Sequence, residues 1–387
     1  MTLKTVKYLL AALLLLCSLT LSAQSDRKNG VSLYYNVNFE MDFDNRELYR
    51  SQFSSSMTIF GARLTPSIGV KVRQKNGTEH KVVIGIDVMK DFGKPTERVS
   101  DLLEEVTLYY RMDKSFGKTD MSLCAGVFPR RFMESNYSGA FFSDSLKFYD
   151  NNIEGILLKF RRPGSSYELG CDWMGMKGPL TRERFMIFTS GVARLVPLTD
   201  YLNIGYSAYL YHFACSDEVD GVVDNALAEA YLKADLASLT PLQTLSLSLG
   251  WLQSGQNDRK NIGKYTFPCG LRLETDIRKW NLGIKNSLFF GTDMMPLYNW
   301  KDMGGYKYGN SLYMGEPFFR VHDDGAQGWG TYDRLDIYWE PSVGKFLKAR
   351  VAATFHFNGK YSGCQQVVSL VFDLDQLLKK SNKNKGL

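Results

Sequence analysis

The chain is poor in the features that mark most soluble or helical proteins. After residue 23 no apolar run is long enough to cross ~30 Å of hydrocarbon as a helix, which takes about 20 residues. The longest uncharged stretch, 236–257, contains Pro241 and then alternates Leu245, Leu247, Leu249 and Trp251 with Ser246, Ser248 and Gly250. A period of two belongs to a strand. Helical spacing of apolar residues is nearly missing elsewhere. Proline is scarce, at 11 of 387 residues. The four histidines, His80, His212, His322 and His356, are scattered. There is no GxSxG, HExxH, Walker loop or strand-borne GxGxxG. A net charge of +6 is mild, and the only dense basic run is the tail 379–385, so a nucleic-acid-binding face is excluded.

The N-terminus is distinctive. Lys4 and Lys7 precede an unbroken apolar core, Leu9 to Leu16, and Leu21-Ser22-Ala23 offers a small-residue cleavage site. This order of charge, apolar core and small residues predicts a secretory signal over residues 1–23. Of six cysteines, Cys17 leaves with it. Cys124, Cys171, Cys215, Cys269 and Cys364 are odd in number, widely spaced and without CxxC spacing. The expectation is free thiols on strands, with no disulfide framework, no metal and no cofactor.

What the chain does have is glycine (34), tyrosine (22) and phenylalanine (24), a composition suited to strands. Alternation recurs throughout. Val82, Ile84, Ile86 and Val88 share one face. Val106, Leu108, Tyr110 and Met112 oppose Glu105, Thr107, Tyr109 and Arg111. Ala226, Ala228, Ala230 and Leu232 oppose Asn225, Glu229, Tyr231 and Lys233. Leu347, Ala349, Val351, Ala353 and Phe355 oppose Lys348, Arg350, Thr354 and His356. Segments of this length with one apolar and one polar face are the pattern of membrane β-barrel strands.

The connections support this. Short ones fall at 74–79, 113–118, 161–166, 196–200, 238–242, 277–280 and 341–345. Longer ones lie between them, at 40–56, 91–103, 129–147, 177–183, 215–222, 254–264, 292–328 and 358–363. Short periplasmic turns and long outer loops alternate in this way. The pattern predicts a single-domain, all-β, transmembrane antiparallel barrel of about sixteen strands over residues 24–378. Fourteen is the alternative, because 185–195 is weakly patterned. Residues 379–387 read as a disordered Lys-rich tail.

Export signal, dyad strands, alternating connections and an apolar last strand together resemble the porin-type outer-membrane β-barrels of Gram-negative bacteria. The resemblance spans the mature chain and is architectural, with no diagnostic motif. It implies residence in the outer membrane among its lipids, dependence on the barrel-assembly machinery and, by analogy, a homotrimer. It departs in the last strand, where Phe372 lies inside and a polar tail follows.

Charges facing lipid would cost several kcal/mol at mid-depth, so Glu105, Arg111, Glu229, Arg272, Glu274, Asp276, Arg334, Asp336, Lys348 and Arg350 are expected to face the lumen. They would line a wet pore or form a ladder of ion pairs. The loop 292–328 is rich in aromatic residues. Trp300, Phe318, Phe319, Arg320, His322, Asp323 and Asp324 are its candidates for ligand contact or for a constriction. Ser207 and Ser216 lie near His212 in sequence, but that spacing does not place them in contact with it, and Asp42, Asp44, Asp323 and Asp324 read as solvated loop acids. The leading functional reading is therefore a non-enzymatic channel for small hydrophilic solutes. The alternative is a surface protein binding a glycan or protein through long loops on a closed barrel, and a barrel enzyme comes third.

The alternation fixes an orientation that can be tested. A tag inserted at Asn76-Gly77 should be reachable only from the periplasm, and one at Ser135-Asn136 or Gly305 from outside. Labelling of the Asn76-Gly77 tag on intact cells would reverse the assignment.

Overall fold

The computed structural model describes residues 30–374, apart from 50, 52, 196–198, 200, 323–327, 345 and 360. The export signal and the Lys-rich tail lie outside the described residues. The chain forms β1 (Val31–Tyr49), β2 (Met57–Arg73), β3 (Glu79–Asp91), β4 (Leu103–Phe116), β5 (Thr119–Pro129), β6 (Asn152–Arg162), β7 (Ser165–Gly175) and β8 (Arg184–Arg194). There follow β9 (Leu202–Phe213), β10 (Val223–Asp235), β11 (Thr244–Asp258), β12 (Cys269–Lys279), β13 (Leu282–Gly291), β14 (Gly330–Trp339), β15 (Ser342–Val343), β16 (Leu347–Asn358) and β17 (Tyr361–Asp373). Each strand pairs antiparallel with its neighbours, and β1 pairs with both β2 and β17, so the sheet closes. The two-residue β15 is a spur at the foot of β16, and β14 pairs past it with β16. The barrel proper therefore has sixteen strands. Closure leaves no strand edge unpaired, as lipid demands.

The dyad pattern sets the two faces. Val82, Ile84, Val106, Leu108, Leu249 and Val351 point outward into the lipid belt, while Asp87, Thr107, Glu229, Asp336 and Thr354 are buried on the inside. The strand with weak patterning, β8, is present at full length. Its outward side carries Ile187, but its inward Met186 and Phe188 are also fully buried apolar groups. Phe188 packs on Tyr137 of a loop inside the lumen, which explains why its two faces look alike in sequence.

All seven short turns fall between strands as expected. Three longer connections do not. β1 runs on to Tyr49, so Asp42 and Asp44 are strand residues on the lumen side, not loop acids, and Asp44 accepts from Arg46 and Gln365. β11 continues to Asp258, and β16 and β17 are joined by a tight turn. The five described cysteines are free thiols. Asn136 lies within the barrel, its carbonyl accepting the Ser207 hydroxyl at 3.2 Å. A tag there would disturb the interior, so Gly305, with open space around it, is the informative outer site.

The interior wall is held by buried charge. Arg63 and Asp87 are paired at 2.5 Å with almost no exposure. Removing one partner of such a pair strands the other, at a cost of about 3–5 kcal/mol. Asp87→Ala should thus lower the barrel's denaturation midpoint sharply, read from heat-dependent gel migration. The double change Asp87→Leu with Arg63→Met should recover most of the loss.

Candidate functional site

Every predicted lumen residue takes the lumen side, and most are paired. Arg272 donates to Glu229 at 2.6 Å and to Glu274 at 2.8 Å, and Glu229 also accepts from Ser138 at 3.0 Å. Tyr338 donates to Asp276, Asn152 to Glu105, and Arg111 to Asp113. Arg350 lies 3.7 Å from Asp336 and from Glu340. Lys348 shares this parity and is exposed. Arg334 reaches furthest. It pairs with Asp336 at 3.1 Å on its own strand, with Asp144 at 3.0 Å, and lies 3.8 Å from Glu316. The last two belong to the two longest loops.

Those loops, 130–151 and 292–329, fold into the barrel. Phe141 is fully buried and packs edge-on against Tyr209 at 5.7 Å. Leu312 and Tyr313 are buried, and the Tyr313 hydroxyl donates to Gln256 and accepts from the Leu297 amide. Phe318 stacks on His356 at 4.5 Å and on Tyr332 at 5.3 Å. Asn358 donates to the Phe318 carbonyl, and Phe319 packs on Phe289. Arg320 lies between the rings of Tyr298 and Phe53, at 4.4 and 5.2 Å. The loop is therefore a plug, not a surface arm. Trp300, expected as an anchor, is 50% exposed and joins the loop through its backbone, which bonds Leu297 and Tyr308. His322 is half-buried beside Gly330. Asp323 and Asp324 lie outside the described residues. Beneath the plug remains a polar cavity of about 910 Å³. It reaches Asp235, Arg278 and Glu340, near the short turns.

A second constellation sits on the opposite surface of the wall. In register, the outward residues at the loop ends of β7 to β11 are Trp173, Phe185, His212, Asp224 and Asn257. Trp173 stacks on Phe185 at 5.2 Å, and Phe185 on His212 at 4.9 Å. Asp224, the cross-strand partner of His212, accepts two bonds from Arg259 at 2.7 Å and one from the Tyr265 hydroxyl at 2.9 Å. Ser207 and Ser216 do not join them. Ser207 faces the lumen, and the Ser216 hydroxyl accepts from the Val219 amide. Asp224, Asn257, Arg259 and Tyr265 escaped the sequence reading. The signal was there: Asp224 continues the outward face of Ala226, Ala228 and Ala230, where a charge is out of place unless it stands at the lipid–water boundary.

Comparison with known proteins decides the family. The family model described as lipid A 3'-O-deacylase-type matches residues 24–381. The chain belongs to that family. Membership in a deacylase-type family overturns the expectation that the protein is no enzyme. Catalytic motifs are a poor guide here, because a barrel assembles its groups from neighbouring strands rather than from one short segment. No curated protein matches the chain. Among solved structures, OpdL of Pseudomonas aeruginosa is similar over 88% of this chain and 98% of its own, at 10% identity and a TM-score of 0.52. OmpT of Vibrio cholerae, lacking one loop, aligns over 89% of this chain and 100% of its own at 8% identity and 0.49. A mutant of the Rh. blastica porin aligns over 88% and 100% at 11% and 0.42. The OpdL likeness shows the fold, an outer-membrane-type barrel. How this deacylase-type barrel uses it is a matter for its own residues.

One plug residue makes the packing sensitive to pH. Burial raises the Asp293 carboxyl from 3.8 to about 7, against the Met295 amide and Arg320, which both lower it. The folded plug therefore holds a proton that the unfolded loop releases near pH 4. Its stability is full below that pH, falls as pH rises toward 7 and is flat above. Corrected amide-exchange protection of 294–320 should be about tenfold or more higher at pH 5 than at pH 8. Asp293→Asn should reduce the slope, leaving the share due to Glu316, whose carboxyl burial also raises.

Proposed function

We propose that the protein is an outer-membrane ester hydrolase that acts on an acylated glycolipid of the outer leaflet, the substrate class its family description names, and that the chemistry takes place on the outer wall at β8–β11. One observation carries this reading: the plug fills the lumen at the loop end, whereas a histidine with charged and hydrogen-bonding neighbours faces lipid at the boundary depth. The mature chain is taken to begin at Gln24, where the family match also starts.

In this mechanism His212 is the general base. Its imidazole takes a proton from water, and the oxygen adds to the ester carbonyl. The tetrahedral intermediate collapses with loss of the alkoxide, which regains the proton from the imidazolium. Water is the nucleophile in this reading, since Ser207 faces the lumen and Ser216 is buried with its hydroxyl on the Val219 amide. Arg259, oriented by Asp224, which also takes the single Tyr265 hydroxyl proton, keeps spare guanidinium donors where oxyanion or phosphate charge must be met. Stacking on Phe185 fixes the imidazole plane.

A second reading, a channel for small hydrophilic solutes, draws support from the 910 Å³ polar cavity and its charged walls. It requires the plug to move.

Purified protein in vesicles with lipid A, followed by mass spectrometry, separates the two. The wild type should release one fatty acid per lipid. His212→Ala should slow this at least about 100-fold, within the range for loss of a general base, while heat-dependent gel migration stays unchanged. An unaltered lipid, or an active His212→Ala barrel, would overturn the hydrolase reading. Steady single-channel conductance would support the channel.

A further inference from the structure

The outer wall below the His212 constellation is not a uniform apolar belt. On β10 the outward residues descending from Asp224 are Ala226, Ala228 and Ala230, before Leu232. At the level of Ala230 the neighbouring strands stand higher. Tyr206, 40% exposed, is the partner of Ala230 on β9, and Trp251, 41% exposed, is its partner on β11. Beside Ala226 on β11 is Gly255, over which Phe267 of the following loop leans. This row of methyl groups is joined by Ala208 beside Ala228 and walled by Tyr206 and Trp251 at Ala230, which makes a trough whose lower part is an apolar cavity of about 610 Å³. At a strand rise of about 3.4 Å per residue, Asp224 to Leu232 spans roughly 27 Å, enough for a full acyl chain.

The trough's upper end is polar. Asn257, the outward cross-strand partner of Asp224, is 8% exposed, yet its side-chain carbonyl oxygen has no hydrogen-bond partner. A buried acceptor without a donor is unfavourable, so the site wants a ligand bearing an N–H or O–H at this depth. Arg259 and Lys260 stand beside it, 57% and 48% exposed, each bound to a single aspartate. Cations with spare donors suit a phosphate.

We infer that the β9–β11 trough is an acyl-chain subsite. It takes one fatty chain of an anionic glycolipid, with an amide or hydroxyl on Asn257 and the phosphate at Arg259 and Lys260. The alanines set its depth and so choose which chain is held. The inference rests on the proposed hydrolase only in saying what the bound lipid is for. The trough itself is a binding statement and stands separately.

The test is photo-crosslinking in vesicles with lipid A carrying a diazirine on its acyl chains. Labelled peptides should concentrate on 204–210, 226–232 and 249–253 at least fivefold over the other strands. Ala228→Phe should abolish that excess while leaving label elsewhere unchanged. Asn257→Leu should weaken lipid A labelling more than labelling by a diazirine phosphatidylglycerol. Even labelling around the barrel, or crosslinks joining two barrels through this face, would overturn the inference. His212→Ala must keep the labelling pattern. If the wild type labels in the trough but releases no fatty acid, hydrolysis fails and the subsite stands. If it hydrolyses with even labelling, the reverse holds.

Discussion

The arrangement hangs on one guanidinium. Arg334 projects from β14 into the lumen and meets carboxylates from three places: its own strand, the 130–151 loop and the 292–329 loop. Sixteen strands enclose a space too wide for wall side chains alone to fill. The loops fill it, and each brings an acid to the same cation. Asp144 and Glu316 would repel one another without Arg334. With it, they hold two loops against one wall. The aromatic packing of Phe141, Phe318 and Phe319 can then proceed in a dry interior.

A plugged lumen changes what the wall charges do. In an open barrel, inward charges set a field for passing solutes. Here Arg272, Glu229, Glu274, Arg350 and Asp336 are mostly occupied with each other and with the plug. Such pairs make a rigid frame. What they support from behind is the outer wall, where Glu229 and Tyr231 of β10 face inward while Ala228, Ala230 and Asp224 on the same strand face out.

The barrel was legible because its signal is redundant. A period of two, repeated over sixteen segments and punctuated by short and long connections, survives a weak strand such as β8. Lumen parity followed from the cost of charge in lipid, and Arg272 and Arg334 obeyed it. The candidate site was much less legible. Whether loop 292–328 folds inward depends on contacts with Tyr332 on the next strand and with His356 and Gln256 further off in sequence, each individually unremarkable. Trp300 looked like an anchor on residue type alone, and packing ignored it. His212 and Asp224 are 12 positions apart and become neighbours only through the β9–β10 register. That register could not be read from either strand separately, whereas the misplaced polarity of Asp224 and Asn257 could.

The pairing of β1 with β17 has a temporal meaning. Asn45 meets Gln366 across the seam, 321 residues apart, so the first strand synthesised must wait for the last. Until then the sheet is an open ribbon with two bare edges, each a template for the wrong partner. Late, long-range closure makes for slow assembly. The plug loops, whose acids need β14, cannot seat until nearly all the wall exists. Any factor that shields the β1 edge during that interval governs the yield of folded protein, and lesions in β17 should act mainly through lost assembly rather than through instability of the finished barrel.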